Sequence, residues 1–197
     1  MTGSVHIIDL PGPVTAEQLA ELRAAFRSLA ERCEEARVGS YDLDIDPAAL
    51  DARDPERQHE DADGGGAVRR FTVSIAGPGF GDEAVFRTEH ADDPDLDALI
   101  GFTPTHDVAI ATTGRDFVDR LMIARLTAIV QDVVDGLVDV NIPTRVLDQV
   151  RGLPGVVAVL DEGWPRVFGT AEFLRAWTAH PEFRWYALGI VRLPSDA

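Results

Sequence analysis

The spacing of apolar residues predicts an amphipathic helix near the start of the chain and a strand after it. Apolar side chains three or four residues apart form one stripe, Leu19, Leu22, Phe26, Leu29 and Cys33. This is the period of a helix with one buried face. Thr15, followed three residues later by Gln18, matches a capping box at the helix start. Residues 41–46 then alternate between apolar and acidic side chains, so we expect a strand with one buried face.

The strongest helical pattern covers residues 115–134, where apolar side chains occupy most of the helix circumference. A helix of this kind is central and largely buried, and Gly136 supplies a stop signal after it. The remaining apolar runs are short and bounded by turn residues, which is typical of strands. They predict strands at residues 5–8, 68–76, 84–88, 108–112, 137–140, 156–160, 166–168 and 185–193, and further helices at residues 92–100 and from residue 170 onward.

The order of these elements predicts an α+β fold with a mostly antiparallel sheet and helices packed on one face. Residues 107–193 give the order β-α-β-β-α-β of a ferredoxin-like unit, and residues 5–112 give a looser version of it. Two ferredoxin-like halves are therefore expected, residues 1–105 and 106–197, either as two domains or joined in one. The first half includes residues 46–67, which are rich in charged residues and Gly and are expected to form a mobile loop.

Charge adds information about partners. The chain carries 34 Asp and Glu against 18 basic residues, a net charge of −16, and residues 1–105 alone hold 22 acids against 9 Arg. Such a field repels nucleic acid and anionic membranes and attracts a basic protein, so we expect a protein partner, no nucleic acid and no membrane. No signal-peptide pattern begins the chain, and no apolar run reaches the roughly 18 residues of a membrane span, which favours a cytoplasmic protein.

Composition also excludes several kinds of chemistry. Every basic residue is Arg, and the chain contains no Lys. Schiff-base formation, pyridoxal phosphate attachment and a P-loop lysine all need a primary amine and are therefore excluded. The glycine-rich segment 77–81 lacks the spacing of a phosphate loop and is followed by two acids, so we interpret it as a turn. No catalytic residue and no cofactor is predicted.

Two acidic clusters are the first candidate for a binding surface. Residues 42–63 contain nine acids and two Arg, and residues 82–97 contain seven acids and one Arg. The Asp-x-Asp-x-Asp run at 93–97 matches the start of an EF-hand loop, but Ala98 stands where that loop needs Gly. The simplest interpretation is a solvated surface, and the functional one is a surface complementary to a basic protein. Its expected contact residues are Asp42, Asp44, Asp46, Asp92, Asp93, Asp95 and Asp97.

Aromatic side chains concentrate near the end of the chain. Seven of them fall within residues 164–186, and their simplest interpretation is the core of the second half. The functional alternative is an aromatic binding face with arginines as polar anchors. That face would comprise Trp164, Arg166, Arg175, Trp177, Arg184 and Trp185.

The five histidines are scattered, and none forms a pair at metal-ligand spacing. No metal site is therefore predicted. His59 lies beside Glu60 and Asp61, and His90 lies beside the second acidic cluster. These residues leave one enzymatic alternative, a metal-assisted hydrolase that uses the Asp- and His-rich loops.

Three short segments of the second half carry a resemblance to known proteins. They are Leu153-Pro154-Gly155-Val156-Val157, Ala171-Glu172-Phe173-Leu174-Arg175-Ala176-Trp177 and His180-Pro181-x-Phe183-Arg184. Over about residues 106–185 the chain resembles a family of uncharacterised small bacterial proteins that are similar to the immunity proteins of polymorphic toxin systems. The resemblance implies an inhibitor and supplies no catalytic residue.

Charge and resemblance together predict an acidic cytoplasmic binding protein, namely an immunity-type inhibitor that occludes a basic toxin or enzyme. Two alternatives stand beside it: the metal-assisted hydrolase, and a structural or scaffold domain of a larger assembly. Three observations separate these functions, namely association that slows with salt, a discrete divalent-ion site, and self-association in solution.

Overall fold

The structure, a computed structural model, describes residues 4–54, 67–80, 83–90, 96–161, 163 and 165–183. Its strands are β1 (Ser4–Leu10), β2 (Ala30–Arg37), β3 (Ser40–Ile45), β4 (Arg69–Ala76), β5 (His106–Thr112), β6 (Leu137–Asn141), β7 (Val156–Leu160) and β8 (Arg166–Gly169). Its helices are α1 (Ala16–Leu29), α2 (Glu83–Glu89), α3 (Asp97–Ile100), α4 (Phe117–Val134), α5 (Leu147–Arg151) and α6 (Ala171–Ala179), and 3-10 turns cover Pro47–Leu50 and Thr144–Val146. The predicted α+β class is confirmed.

All these strands belong to one sheet with the order β2-β3-β4-β5-β1-β6-β8-β7. Every neighbouring pair is antiparallel, which confirms the predicted character of the sheet. The first strand of the chain is central in the sheet. Ile8 of β1 lies opposite Val108 of β5 on one side and opposite Val138 of β6 on the other.

This strand order differs from that of two separate ferredoxin-like halves. β1 comes from the first half of the chain but lies between β5 and β6 of the second half, and β5 also pairs with β4 of the first half. Periodicity identifies strands but not their neighbours, so the sequence pattern could not reveal this insertion. Residue 105 therefore marks no break in the sheet.

One face of the sheet, termed the helical face, carries the main core. Apolar side chains of the central strands, such as Ile8, Val73 and Ile110, are fully buried there. Helices α1, α4 and α6 belong to the same core, and α4 contacts β1, β5, β6 and both of the other helices. The helix predicted to be central is therefore the one around which the core is built.

The opposite side, termed the second face, has a smaller cover. Leu96 and Ile100 of the segment at α3 pack with Ala158 and Phe168 of the sheet in a separate apolar cluster. Helices thus lie on both faces rather than on one, because the short α3 supplies the apolar side chains that cover Phe168. The short length of α3 made this cover hard to anticipate from periodicity.

Two segments of the first half differ from the expected elements. Helix α1 begins with the predicted capping box, in which Thr15 and Gln18 exchange hydrogen bonds. It ends at Leu29, and the chain continues directly as β2, so Cys33 lies half-buried on a strand, where burial raises the pKa of its thiol. Residues 84–88, expected as a strand, belong to helix α2.

The segment predicted as a mobile loop, residues 46–67, begins as ordered structure. Asp46 Oδ1 accepts a 2.8 Å hydrogen bond from Ala48 N–H and starts the first 3-10 turn. Leu50 is buried against the main core, and Arg125 of α4 donates a 2.8 Å hydrogen bond to its carbonyl. The buried aliphatic side chain of Leu50 explains why this part of a segment otherwise rich in charged residues and Gly is ordered. Residues 55–66 and the predicted strand at 185–193 lie outside the described residues.

Candidate functional site

The acidic strand β3 places Asp42 and Asp44 on the second face. Its apolar residues are buried on the helical face, so the alternating acids project the other way. Asp44 lies 3.7 Å from a guanidinium nitrogen of Arg32 in β2 and 3.2 Å from one of Arg70 in β4. Asp42 accepts a 3.5 Å hydrogen bond from Thr72. Because Asp44 is matched by two arginines, this surface is less negative than the sequence pattern indicates.

The other predicted contact acids are divided between different places. Asp46 lies directly after the end of β3 and caps the 3-10 turn that follows. Asp97 begins α3, which packs over β7 and β8. β3 and β8 are separated by five strand spacings, or about 24 Å at roughly 4.8 Å each, so Asp97 is not part of the same surface. Asp92, Asp93 and Asp95 lie outside the described residues.

Trp177, predicted for an exposed aromatic face, belongs to the core. Its side chain is 1 % exposed. The ring stacks on that of His180 with centroids 5.7 Å apart and meets Phe183 edge to face at 5.7 Å. The simpler interpretation, an aromatic core for this segment, therefore describes Trp177. Trp164, Arg184 and Trp185 lie outside the part of the chain that the structure describes.

The two described arginines of that predicted face lie on opposite sides of the sheet. Arg175 is on the outer side of α6 and forms an ion pair with Asp132 of α4. Arg166 projects from β8 on the second face, where it pairs with Asp139 of β6 and lies over the ring of Phe168. They cannot anchor one partner together, so no single aromatic and arginine face is formed by the described residues.

The accessible polar part of the second face is formed by β2, β3 and β4. It is termed the open face and comprises Arg32, Glu34, Asp42, Asp44, Arg70, Thr72 and Ser74. The side chains of Arg32, Glu34 and Arg70 are 55 %, 56 % and 70 % exposed. Glu34 lies directly opposite Asp42 in the register and forms an ion pair with Arg32, so Asp42 is the acid of this pair that faces a like charge without an arginine of its own among the described residues of the open face.

Strand β2 is also one edge of the sheet. It pairs on one side with β3, and its register is interrupted near both ends. Glu35 turns toward the helical face, where Arg23 of α1 donates two 2.8 Å hydrogen bonds to its carboxylate and lowers its pKa. Charged side chains and irregular register are features that protect an edge strand from uncontrolled pairing.

Two buried aspartates at the centre of the second face were not predicted from the sequence. Asp9 of β1 and Asp107 of β5 lie directly opposite each other and are 2 % and 3 % exposed. His90, which follows α2, places Nε2 3.3 Å from Asp107 Oδ2. The available sequence signal was an Asp near the end of β1 and another near the start of β5, but nothing local indicated that the two would meet.

The described residues give no metal centre for the hydrolase alternative. Within them, no group of three His, Cys, Asp or Glu side chains is placed to hold a metal ion. His90 is hydrogen-bonded to Asp107, and His59 lies outside the described residues. In the same part of the chain, no helix is both long and apolar enough to cross a membrane.

These observations define an α+β protein built on one antiparallel sheet, with a helical core on one face and a charged open face on the other. The chain belongs to the family of unknown function DUF6368, whose model matches residues 2–186. The matched residues include strands on both sides of residue 105, and the sheet likewise combines strands from both sides of that residue. No curated protein and no solved structure matches the chain significantly.

Proposed function

We propose that the protein is a cytoplasmic acidic binding protein, and specifically an immunity-type inhibitor that binds and occludes a basic toxin or enzyme. The open face is the observation that carries this proposal, because it is an accessible charged surface on a chain of net charge −16. The resemblance of about residues 106–185 to uncharacterised small bacterial proteins that are similar to immunity proteins supports the same function. Neither a nucleic acid nor a membrane is expected as partner, since both would be repelled.

The arrangement of charges on the open face suits a basic protein. Asp42 lies opposite Glu34, whose carboxylate is paired with Arg32, so a cationic side chain of a partner would pair with the carboxylate of Asp42. Arg32 and Arg70 on either side of Asp44 would reject a wrongly aligned basic patch and so add specificity. The sheet backbone fixes the spacing of the positions that carry these side chains, which lowers the entropy lost on binding.

Co-expression with the product of the neighbouring gene tests the proposal. We expect rescue from the toxicity of that product and a complex that co-purifies. In kinetic measurements, the association rate should fall steeply with added salt, because exposed charges are screened beyond about 10 Å at 0.1 M salt. The paired variant Glu34→Gln/Asp42→Asn should slow association about three- to tenfold at low salt.

A matched control separates the site from total charge. Glu21→Gln/Glu172→Gln removes the same charge from exposed positions on α1 and α6, and it should change the association rate much less. Absence of toxicity and of a complex would remove the main support for the inhibitor. An association rate that ignores ionic strength would contradict the role of the open face.

The two alternative functions have separate tests. A metal-assisted hydrolase requires a divalent-ion site, and titration with Zn²⁺ or Mg²⁺ should then raise the unfolding temperature in a way that His90→Ala abolishes. A scaffold domain requires self-association, which sedimentation at several protein concentrations would detect. Each result is distinct from rescue by co-expression, so the three functions can be told apart.

A further inference from the structure

Strand β7 forms the end of the sheet opposite to β2. Within the part of the chain that the structure describes, β7 pairs with β8 on one side, and no strand lies on its other side. The backbone N–H and C=O groups on the free side of an edge strand can pair with a further strand, and natural proteins protect them with charged side chains or bulges. The two edges of this sheet differ in that protection.

Strand β7 has an apolar sequence, whereas β2 is charged. β2 carries Glu or Arg at five of its eight positions, and Val156–Leu160 carries no charged residue. Val157, which lies where the register of β7 shifts, is 49 % exposed. Runs of Val, Ala and Leu without charge favour pairing with another strand. The composition of β7 therefore favours strand addition, and that of β2 opposes it.

The helices on both sides of β7 carry acidic side chains. α3 packs near β7 on the second face, and α5, whose buried residues belong to the main core, packs near it on the helical face. Asp97 of α3 and Asp148 of α5 are exposed and form no ion pair with another described residue. The nearby Arg151 of α5 is already paired with Asp161. A strand added to β7 would thus have an unneutralised acid beside each of its faces.

We propose that the free edge of β7 binds an extended cationic segment of a partner protein by strand addition. Backbone hydrogen bonds to β7 supply affinity, and an apolar side chain of the segment packs against Val157. Arginine or lysine side chains on the two faces of the segment pair with Asp97 and Asp148. Because successive side chains of a strand point to opposite faces, basic residues an odd number of positions apart can reach both acids.

This edge is distinct from the open face. β7 and β3 are separated by six strand spacings, or about 29 Å at roughly 4.8 Å each. The inference therefore goes beyond the proposed inhibitor function and does not depend on it. Its test uses a peptide and the purified chain, so its failure can be told apart from a failure of rescue by co-expression.

Calorimetric titration of the full chain with the capped peptide Arg-Val-Thr-Val-Thr-Arg tests the proposal. The two arginines of this peptide lie on opposite faces when it is extended. It should bind with a dissociation constant of about 0.1–1 mM, and more weakly as salt is added. The same peptide with glutamate in place of both arginines should bind at least about tenfold more weakly, because it would be repelled by the acids. Absence of saturable binding by the arginine peptide would overturn the proposal.

Amide hydrogen exchange locates the bound peptide. In the free protein, the N–H groups of β7 that point away from β8 should exchange rapidly, and saturating peptide should slow their exchange at least about tenfold. Slow exchange of all β7 amides before peptide is added would mean that a second copy of the chain, or a segment outside the described residues, already occupies the edge. That result, or unchanged exchange in β7 on binding, would overturn the proposal.

Two pairs of substitutions separate local charge from total charge. Asp97→Asn/Asp148→Asn should weaken binding of the arginine peptide about three- to tenfold. Glu17→Gln/Glu21→Gln removes the same charge from exposed positions of α1 and should leave binding nearly unchanged. All four side chains are exposed, so the fold should be retained in both variants. Equal affinities of the two variants for the peptide would contradict the role of Asp97 and Asp148.

Discussion

At the scale of single residues, the buried His6 contributes to the way the stability of the protein depends on pH. His6 is 9 % exposed and lies on a central strand, where burial disfavours its charged form. The hydroxyl oxygen of Thr127 accepts a hydrogen bond from Nδ1 of His6. The nearby charge is that of the cationic Arg120, which lowers the pKa of His6 further. Protonating the imidazole in the folded protein would therefore place two positive charges close together inside the core.

His6 should make the folded state less stable as the pH falls through the weakly acidic range. The pKa of the imidazole drops from 6.5 to about 4 on folding, so the unfolded chain binds more protons between these values. The stabilisation that His6 contributes by staying neutral is fully present above about pH 6.5. It is lost progressively toward about pH 4, by roughly 3 kcal/mol in total. Urea unfolding of the protein and of His6→Gln at about pH 4.5 and pH 7 measures this loss.

The comparison with His6→Gln removes the contribution of the many carboxylates, which titrate in both chains. The variant should show a smaller fall in unfolding free energy between the two pH values. Equal falls in the two chains would mean that His6 is not held neutral by the fold.

Residue-scale features were predictable where they are local in sequence. The capping box joins Thr15 and Gln18, three positions apart, and its residue types alone announce it. His6 and Thr127 are 121 positions apart, and Asp9 meets Asp107 across two strands. Such pairs depend on which strands and helices become neighbours, and one sequence does not contain that information.

At the scale of elements, helix α6 is attached to α4 through its inner side. Trp177 is, with Phe173, one of the large buried side chains of α6, while Arg175 lies on the outer side with 54 % of its side chain exposed. Trp177→Ala should lower the unfolding free energy by about 3–5 kcal/mol, because it leaves a large cavity. Arg175→Ala, which removes an exposed ion pair, should cost less than about 1 kcal/mol.

Denaturant unfolding of the two variants measures this difference directly. Similar small costs for both would place Trp177 at an accessible surface, as the aromatic-face hypothesis supposed. A large cost for Trp177→Ala alone would support its place in the core.

Elements with a long or strict pattern were predicted well, and short charged ones were not. α4 and β3 each repeat one period over their whole length. β2 has charged residues at most of its positions, so the helical stripe of α1 seemed to continue through Cys33. α2 covers two turns and its apolar residues fit a strand equally well, which is why residues 84–88 were assigned to the wrong element.

At the scale of the whole molecule, the position of β1 makes the two halves of the chain interdependent. Without residues 1–105, β5 would lose both of its neighbours, β4 and β1, and β6 would lose β1. The fragments 1–105 and 106–197, expressed separately, should therefore lack the cooperative unfolding of the full chain. Circular dichroism during thermal unfolding of each fragment, and of the two mixed, measures this.

Recovery of cooperative unfolding on mixing would fit two halves that complete one sheet. Cooperative unfolding of fragment 106–197 alone would instead support an independent ferredoxin-like domain, and the shared sheet would then not be needed for its stability.

The central place of β1 has a further consequence while the protein is being made. Ribosomes release this strand well before its partners, His106–Thr112 and Leu137–Asn141, which follow much later in the chain. Until then the apolar side of Ser4–Leu10 has no sheet to join, and contacts between such distant segments form slowly. The nascent chain is therefore expected to depend on chaperones until residue 141 has left the exit tunnel, and synonymous codons that pause translation before that point should increase aggregation.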